Sequence, residues 1–145
     1  MRILALDVGE KRIGVAVSDE LGFAAHAVET IERKSRPVVP SRIEDLVREY
    51  GAEKIVVGLP RNMNGSLGGQ AEAVLEFIKA VQERLPAIPV LPWDERLTTR
   101  AAERVLIEAD LTRNKRKKKI DQVAAVFILQ GYLDSLPRDA ANPAV

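Results

Sequence analysis

Asp7, Asp94, Glu95 and Asp121 are the side chains whose type and spacing could do chemistry together, because each stands beside an apolar run. Asp7 lies near the end of a first strand, expected over Ile3–Val8. A carboxylate beside a strand that is hydrophobic on both faces is costly to bury as an unpaired ion. Either the amides of the turn Gly9–Arg12 satisfy it or a cation does. Asp94 and Glu95 directly follow a short apolar strand, Val90–Trp93. Asp121 opens a last helix, expected from about Ile120 to Asp134, with an apolar stripe of Ile120, Val123, Ala124, Phe127, Ile128 and Gly131. Its spacing to Ala124, Ala125 and Ile128 puts Asp121 on the flank of that stripe, where two alanines permit a close approach to a sheet. The plainer role for Asp121 is to complement the helix dipole.

Carboxylates from a first strand, a fifth strand and the last helix suit Mg²⁺ or Mn²⁺, hard ions that take oxygen ligands and share phosphate oxygens with a substrate. Two such ions about 3.5–4 Å apart can activate water and stabilise the leaving oxygen of a phosphodiester. Other routes are narrower. The chain has no cysteine, hence no disulfide, thiol nucleophile or thiolate metal site. Its one histidine, His26, lies in an expected strand without the partners a site requires, and reads as structural or surface.

The net charge of +1 does not mark a polyanion binder, but its distribution does. Residues 96–119 hold nine lysines and arginines against Glu103, Glu108 and Asp110, a net of +6 that leaves −5 on the remainder. Six of the cations, Arg113, Lys115, Arg116, Lys117, Lys118 and Lys119, fall within seven residues next to Asp121. A charge run is usually a solvated face or a loop, yet one beside a metal site would contact phosphates and add affinity with little sequence selectivity.

The elements that must position these groups read in order as β-β-β-α-β-α-β-α-α. Ile13–Ser18 and Ala24–Ile31 follow the first strand with short links, an antiparallel meander. Ser41 and Glu44 fit a capping box for a helix with Ile43, Leu46, Val47 and Tyr50 on one face, ended by Gly51. Lys54–Gly58 is a buried strand. The second helix carries Ala71, Val74, Leu75, Ile78, Val81 and Leu85 inward and stops before Pro86. A third helix capped by Thr98 or Thr99 would bury Ala101, Ala102, Val105, Leu106 and Ala109. Right-handed β-α-β crossovers require parallel neighbours, so the expectation is an α/β fold: a mixed five-stranded sheet with helices on both faces. The loop Leu59–Gly69, with Arg61, Asn62, Asn64 and Ser66 among its glycines, is long at eleven residues and leads into a helix N-terminus that could hold phosphate. No Gly-Lys-Ser/Thr follows, so it is not a P-loop.

At 145 residues a single domain is expected, residues 1–136, with 137–145 as a flexible tail. No apolar run approaches a membrane span and no signal-peptide pattern opens the chain, which fits a cytoplasmic protein.

Four segments, DVGEKRIGVAVSD, VVGLPRNMNGSLGGQA, DERLTT and KIDQVAAVFILQGYL, resemble the YqgF/RuvX family in the correct order, covering Arg2 to about Leu133. These are RuvC-like members of the ribonuclease H-like superfamily, described as Holliday junction resolvases and as pre-16S rRNA nucleases. The resemblance implies a 3-2-1-4-5 sheet and metal-dependent nuclease chemistry with Asp7, Glu95 and Asp121 as metal-binding and catalytic residues. Arg61, Asn62, Asn64, Ser66, Arg96, Thr98, Arg113 and Lys115–Lys119 would hold structured RNA or branched DNA. It leaves a homodimer open. RuvC enzymes place a glutamate at the end of strand four, where this chain has Gly58-Leu59-Pro60, so Glu95 must substitute. Two other classes compete. DVGEKRIGV also resembles the phosphate hairpin of sugar kinases and actin-like ATPases, a fold too large for this chain. A non-catalytic nucleic-acid-binding factor would bind without metal-dependent turnover.

Overall fold

A computed structural model describes residues 2–33, 38–60, 64, 67–94 and 113–136, with backbone alone at 38–39 and 113–121. Five strands, β1 (Arg2–Val8), β2 (Arg12–Ser18), β3 (Ala25–Glu32), β4 (Ala52–Leu59) and β5 (Val90–Asp94), form one sheet in the order β3-β2-β1-β4-β5. β1, β2 and β3 pair antiparallel, and β1, β4 and β5 pair parallel. This is the mixed sheet expected from the short early links and the later helical crossovers.

Three helices are described: α1 (Val38–Tyr50), α2 (Gly69–Arg84) and α3 (Arg113–Ser135). The central strand β1 is covered on both faces and is accordingly almost continuously apolar. Leu4 and Leu6 point to the side of α1 and α2, into a cluster with Ile43, Leu46, Ile55, Val57, Val74 and Val81. Ile3 and Ala5 point to the other side, where Ala16, Val56, Ala125, Ile128, Leu129 and Leu133 close the second layer. Each fully buried Leu or Ile of these layers contributes roughly 1.5–3 kcal/mol of burial. Among the described residues no helix is long and apolar enough to cross a membrane.

Several expectations are corrected. α1 begins at Val38, before Ser41, so the capping box does not form; Pro40 lies in the first turn, where a missing N–H costs nothing. Ser41 Oγ instead accepts from Arg84 of α2, and Glu44 pairs with Arg84 and Arg48. Gly51 does end α1, at φ +63. On α2, Phe77 is buried and Leu75 is 38% exposed, because the inward stripe runs Ala71, Val74, Phe77, Val81. α3 starts at Arg113 and not near Ile120, since lysine and arginine are strong helix formers and no Gly or Pro interrupts the run. Its packed face is Ala125, Ile128, Leu129 and Leu133, rotated by about one residue from the expected stripe. Asp94 is the last residue of β5, where it was expected just beyond the strand. The third helix expected near Thr98 and the tail 137–145 lie outside the described residues.

Candidate active site

Asp7 takes its setting from strand alternation. Ile3 and Ala5 face α3, so Asp7, two residues on, lies on the same face. It pairs with Gly14 of β2, and Gly14 pairs with Thr30 of β3, making one row across the sheet. On the other flank Leu6 pairs with Val57 of β4, and the next residue, Gly58, pairs with Trp93 of β5. The half-buried carboxylate thus stands between two strand positions, Gly14 and Gly58, that carry no side chain. Both glycine positions are buried, so the backbone of neighbouring strands, and no side chain of theirs, flanks the acid within the sheet.

The turn after Asp7 is held from two sides. Gly9 N–H donates to the Arg12 carbonyl at 2.8 Å, so this amide is committed to the turn itself. Arg33, just past β3, donates from its backbone to the Lys11 carbonyl at 2.9 Å and from Nη1 to the Gly9 carbonyl at 2.6 Å. Its guanidinium lies 5.7 Å from the ring centroid of Phe77 on α2. The β1–β2 turn is therefore anchored to both β3 and α2.

The last helix reaches the same end of the sheet. Gln122 Nε2 donates to Thr30 Oγ1 at 3.0 Å, which sets the level of residue 122 at the row Thr30–Gly14–Asp7. Farther along α3, Gln130 Oε1 accepts from Ala25 N–H at 3.2 Å and its Nε2 donates to the Phe23 carbonyl at 3.0 Å. α3 therefore runs antiparallel to β3, with its N-terminus toward the Asp7 end. Position 121 stands one turn before the buried Ala125, in line with the face that packs on the sheet. At about 1.5 Å per residue, Arg113–Lys119 extends roughly 5–14 Å beyond the level of Gln122. The basic run is a helical overhang at the Asp7 end of the sheet.

At the end of β5, Trp93 packs edge-on against Tyr132 of α3, with ring centroids 5.8 Å apart. Its indole N–H is buried without an acceptor among the described residues. Asn64 is exposed in the loop before α2. Glu95, Arg96 and Thr98, together with Arg61, Asn62 and Ser66, lie outside the described residues, as do the side chains of Arg113, Lys115–Lys119 and Asp121. Among the described residues no three His, Cys, Asp or Glu side chains gather. Sequence reasoning did not find Gln122, Thr30, Arg33 or the row of glycines. The one local signal was a pair of glutamines, eight residues apart, on the otherwise largely apolar stretch Gln122–Leu133.

A family model described as RuvX, Holliday junction resolvase, matches residues 1–135. A protein of Moorella thermoacetica, provisionally named a pre-16S rRNA nuclease, is 58% identical over 136 residues, covering 94% of this chain and 96% of its own. A Clostridium botulinum protein of the same name is 54% identical over 138 residues, 95% of this chain and 100% of its own. Among solved structures, Thermus thermophilus RuvC with a Holliday junction substrate aligns at TM-score 0.59 and 15% identity, covering 93% of this chain and 97% of that one. Fowlpox virus resolvase with junction DNA aligns at TM-score 0.58 and 16% identity, covering 93% and 98%. At such identities these two structures speak for the fold alone.

Proposed function

The chain belongs to the RuvX family, and from that premise we propose that it is a divalent-metal-dependent nuclease that cuts phosphodiester bonds in structured nucleic acid, with precursor 16S rRNA as its substrate. The observation that supports this most is the Gln122–Thr30 bond, which sets the start of the packed part of α3 level with Asp7. Two acids far apart in sequence, Asp7 and Asp121, thereby belong to one end of the fold. Glu95 directly follows the last residue of β5 and is the third member of the proposed set.

A hard oxygen-ligated ion suits this donor set. Asp7 is a half-buried carboxylate flanked by two glycine positions, and the proposed partners are carboxylates as well. Asp7, Glu95 and Asp121 would hold Mg²⁺ or Mn²⁺, which when bound lowers the pKa of a coordinated water and neutralises charge on the phosphoryl group. The chain's own part is to orient the acids and hold the substrate backbone. The helical overhang Arg113–Lys119, with Arg96, Thr98 and the loop residues Arg61, Asn62, Asn64 and Ser66, would bind phosphates without reading sequence. Residues 1–136 would act as one domain, with 137–145 as a tail, and the work would be cytoplasmic.

Junction resolution is the second reading, supported by the description of the family model. Against it stands the end of β4, Gly58-Leu59-Pro60, where RuvC enzymes carry a glutamate, and symmetric cutting of a four-way junction would take two copies of the chain. The test is cleavage of a precursor 16S rRNA fragment and of a four-way DNA junction, with Mn²⁺ or Mg²⁺, by wild type and Asp7→Asn. We expect the RNA to be cut, and cutting to fall by about a hundredfold or more in the variant and on chelation. Preference for the junction would move the assignment to the second reading. Binding of both substrates without metal-dependent cutting would leave a binding factor.

A further inference from the structure

We propose that Gln122 and Thr30 are positioning residues that set the register of α3 against the sheet and so hold Asp121 opposite Asp7. This rests on the nuclease reading for its functional consequence, though not for its geometry. The layer that joins α3 to the sheet is built near this end mainly from small side chains, Ala5, Ala16 and Ala125, with Val56 beside Ala5. Apolar contact is non-directional, and alanine on alanine offers few knobs to stop a helix from sliding along its own axis. Hydrogen bonds have a direction and a length. Gln122 donates to the Thr30 hydroxyl at 3.0 Å in a part-buried setting, and its backbone neighbour is Asp121.

The second clamp lies at the other end of the same strand. Gln130 holds the Ala25 amide and the Phe23 carbonyl, and its Nε2 also donates to Asp134 at 3.0 Å. The two clamps are about 12 Å apart along the helix and about 16 Å apart along β3, a difference the glutamine side chains absorb. They divide the work. Gln130 ties down the β2–β3 hairpin, remote from Asp7, whereas Gln122 fixes the end of the helix at the row Thr30–Gly14–Asp7. Misplacing one ligand-bearing helix by an ångström is enough to lose a large part of the site's function.

The test uses the full chain, with Mn²⁺ as the probe and the free ion read by electron paramagnetic resonance. Gln122→Ala and Thr30→Val are expected to weaken Mn²⁺ binding and RNA cleavage by about tenfold each. The double variant should be no worse than Thr30→Val alone, because both substitutions remove the Gln122–Thr30 bond. Thr30→Ser, which keeps the hydroxyl, should stay within about twofold of wild type. Gln130→Ala should lower the Tm while leaving Mn²⁺ affinity unchanged. In the metal-free protein, amide exchange over residues 118–127 should speed up in Gln122→Ala and not in Gln130→Ala. Unchanged Mn²⁺ affinity in Gln122→Ala, or an equal loss in Gln130→Ala, overturns the proposal. If wild type neither binds Mn²⁺ nor cuts RNA, the nuclease reading falls, and the exchange alone decides the register: faster exchange confined to Gln122→Ala upholds it, unchanged exchange overturns it.

Discussion

At the scale of single residues, the turn that follows Asp7 leaves no room for a side chain at Gly9. A Cβ at Gly9 would sit 2.9 Å from the Arg12 carbonyl oxygen, closer than such contacts come, and that oxygen is backbone. The turn would have to open, yet it is pinned by Arg33 at the Gly9 and Lys11 carbonyls. Gly9→Ala therefore strains the two residues that separate Asp7 from its anchor. We expect a stability loss of roughly 1–3 kcal/mol from overpacking, or about 2–12 °C in Tm for a chain of this size. Cleavage measured well below that Tm should drop by about tenfold. A folded Gly9→Ala protein with wild-type turnover would show that the turn does not set the acid. Gly22 and Gly51 are glycines for a different reason: each has positive φ, +78 and +63, with open space around it.

At the scale of elements, the β2–β3 hairpin is closed by one carboxylate. Asp19 Oδ1 accepts from Phe23 N–H at 2.9 Å and Oδ2 from Ala24 N–H at 3.3 Å, while Asp19 N–H donates to the Ala24 carbonyl. Burial pushes its pKa upward, but the backbone bonds from Phe23, Gly22 and Ala24, with His26 nearby, outweigh it and hold the carboxyl below the usual aspartate range. A folded-state pKa below the unfolded one gives stability that is complete above the unfolded value and lost as pH falls through the folded one. Asp19→Asn should accordingly start less stable at neutral pH and lose less Tm than wild type between about pH 5 and pH 2.5, followed by thermal melts across that range. Equal acid slopes would remove Asp19 from the account. The sheet itself was legible in sequence, because strand period, short early links and helical crossovers leave few topologies. The phase of α3 was not. VAAVFILQGYL has apolar residues on most sides of a helix, so several inward stripes are open until Ala5 and Ala16 of the sheet select Ala125, Ile128 and Leu129. The start of α3 was missed because a run of cations reads as solvated loop. Asp7 was visible as an acid at the end of a buried strand, whereas the Gln122–Thr30 bond joins residues 92 apart in sequence and has no local signature.

At the scale of the whole molecule, charge and dipole oppose each other at one end. α3 begins with Arg113, Lys115 and Arg116 and has no acid in its first turn. Cations at a helix N-terminus face the positive end of the macrodipole, a cost of about 0.3–1 kcal/mol each at low salt. The arrangement makes sense if a polyanion covers this turn during function, since phosphates would neutralise cations and dipole together. The two effects of removing charge then have opposite signs. Lys115→Gln/Arg116→Gln should raise the Tm of the free protein by roughly 1–8 °C at low salt. The same variant should bind RNA more weakly, with its slope of log affinity against log salt shallower by about 0.7 for each single-strand phosphate it no longer neutralises. Melting curves of the free protein and binding isotherms across a salt series measure both. A variant that is stabilised but binds with an unchanged slope would take the first turn of α3 out of the nucleic-acid interface. One that loses both affinity and stability would mean that these cations hold the fold instead.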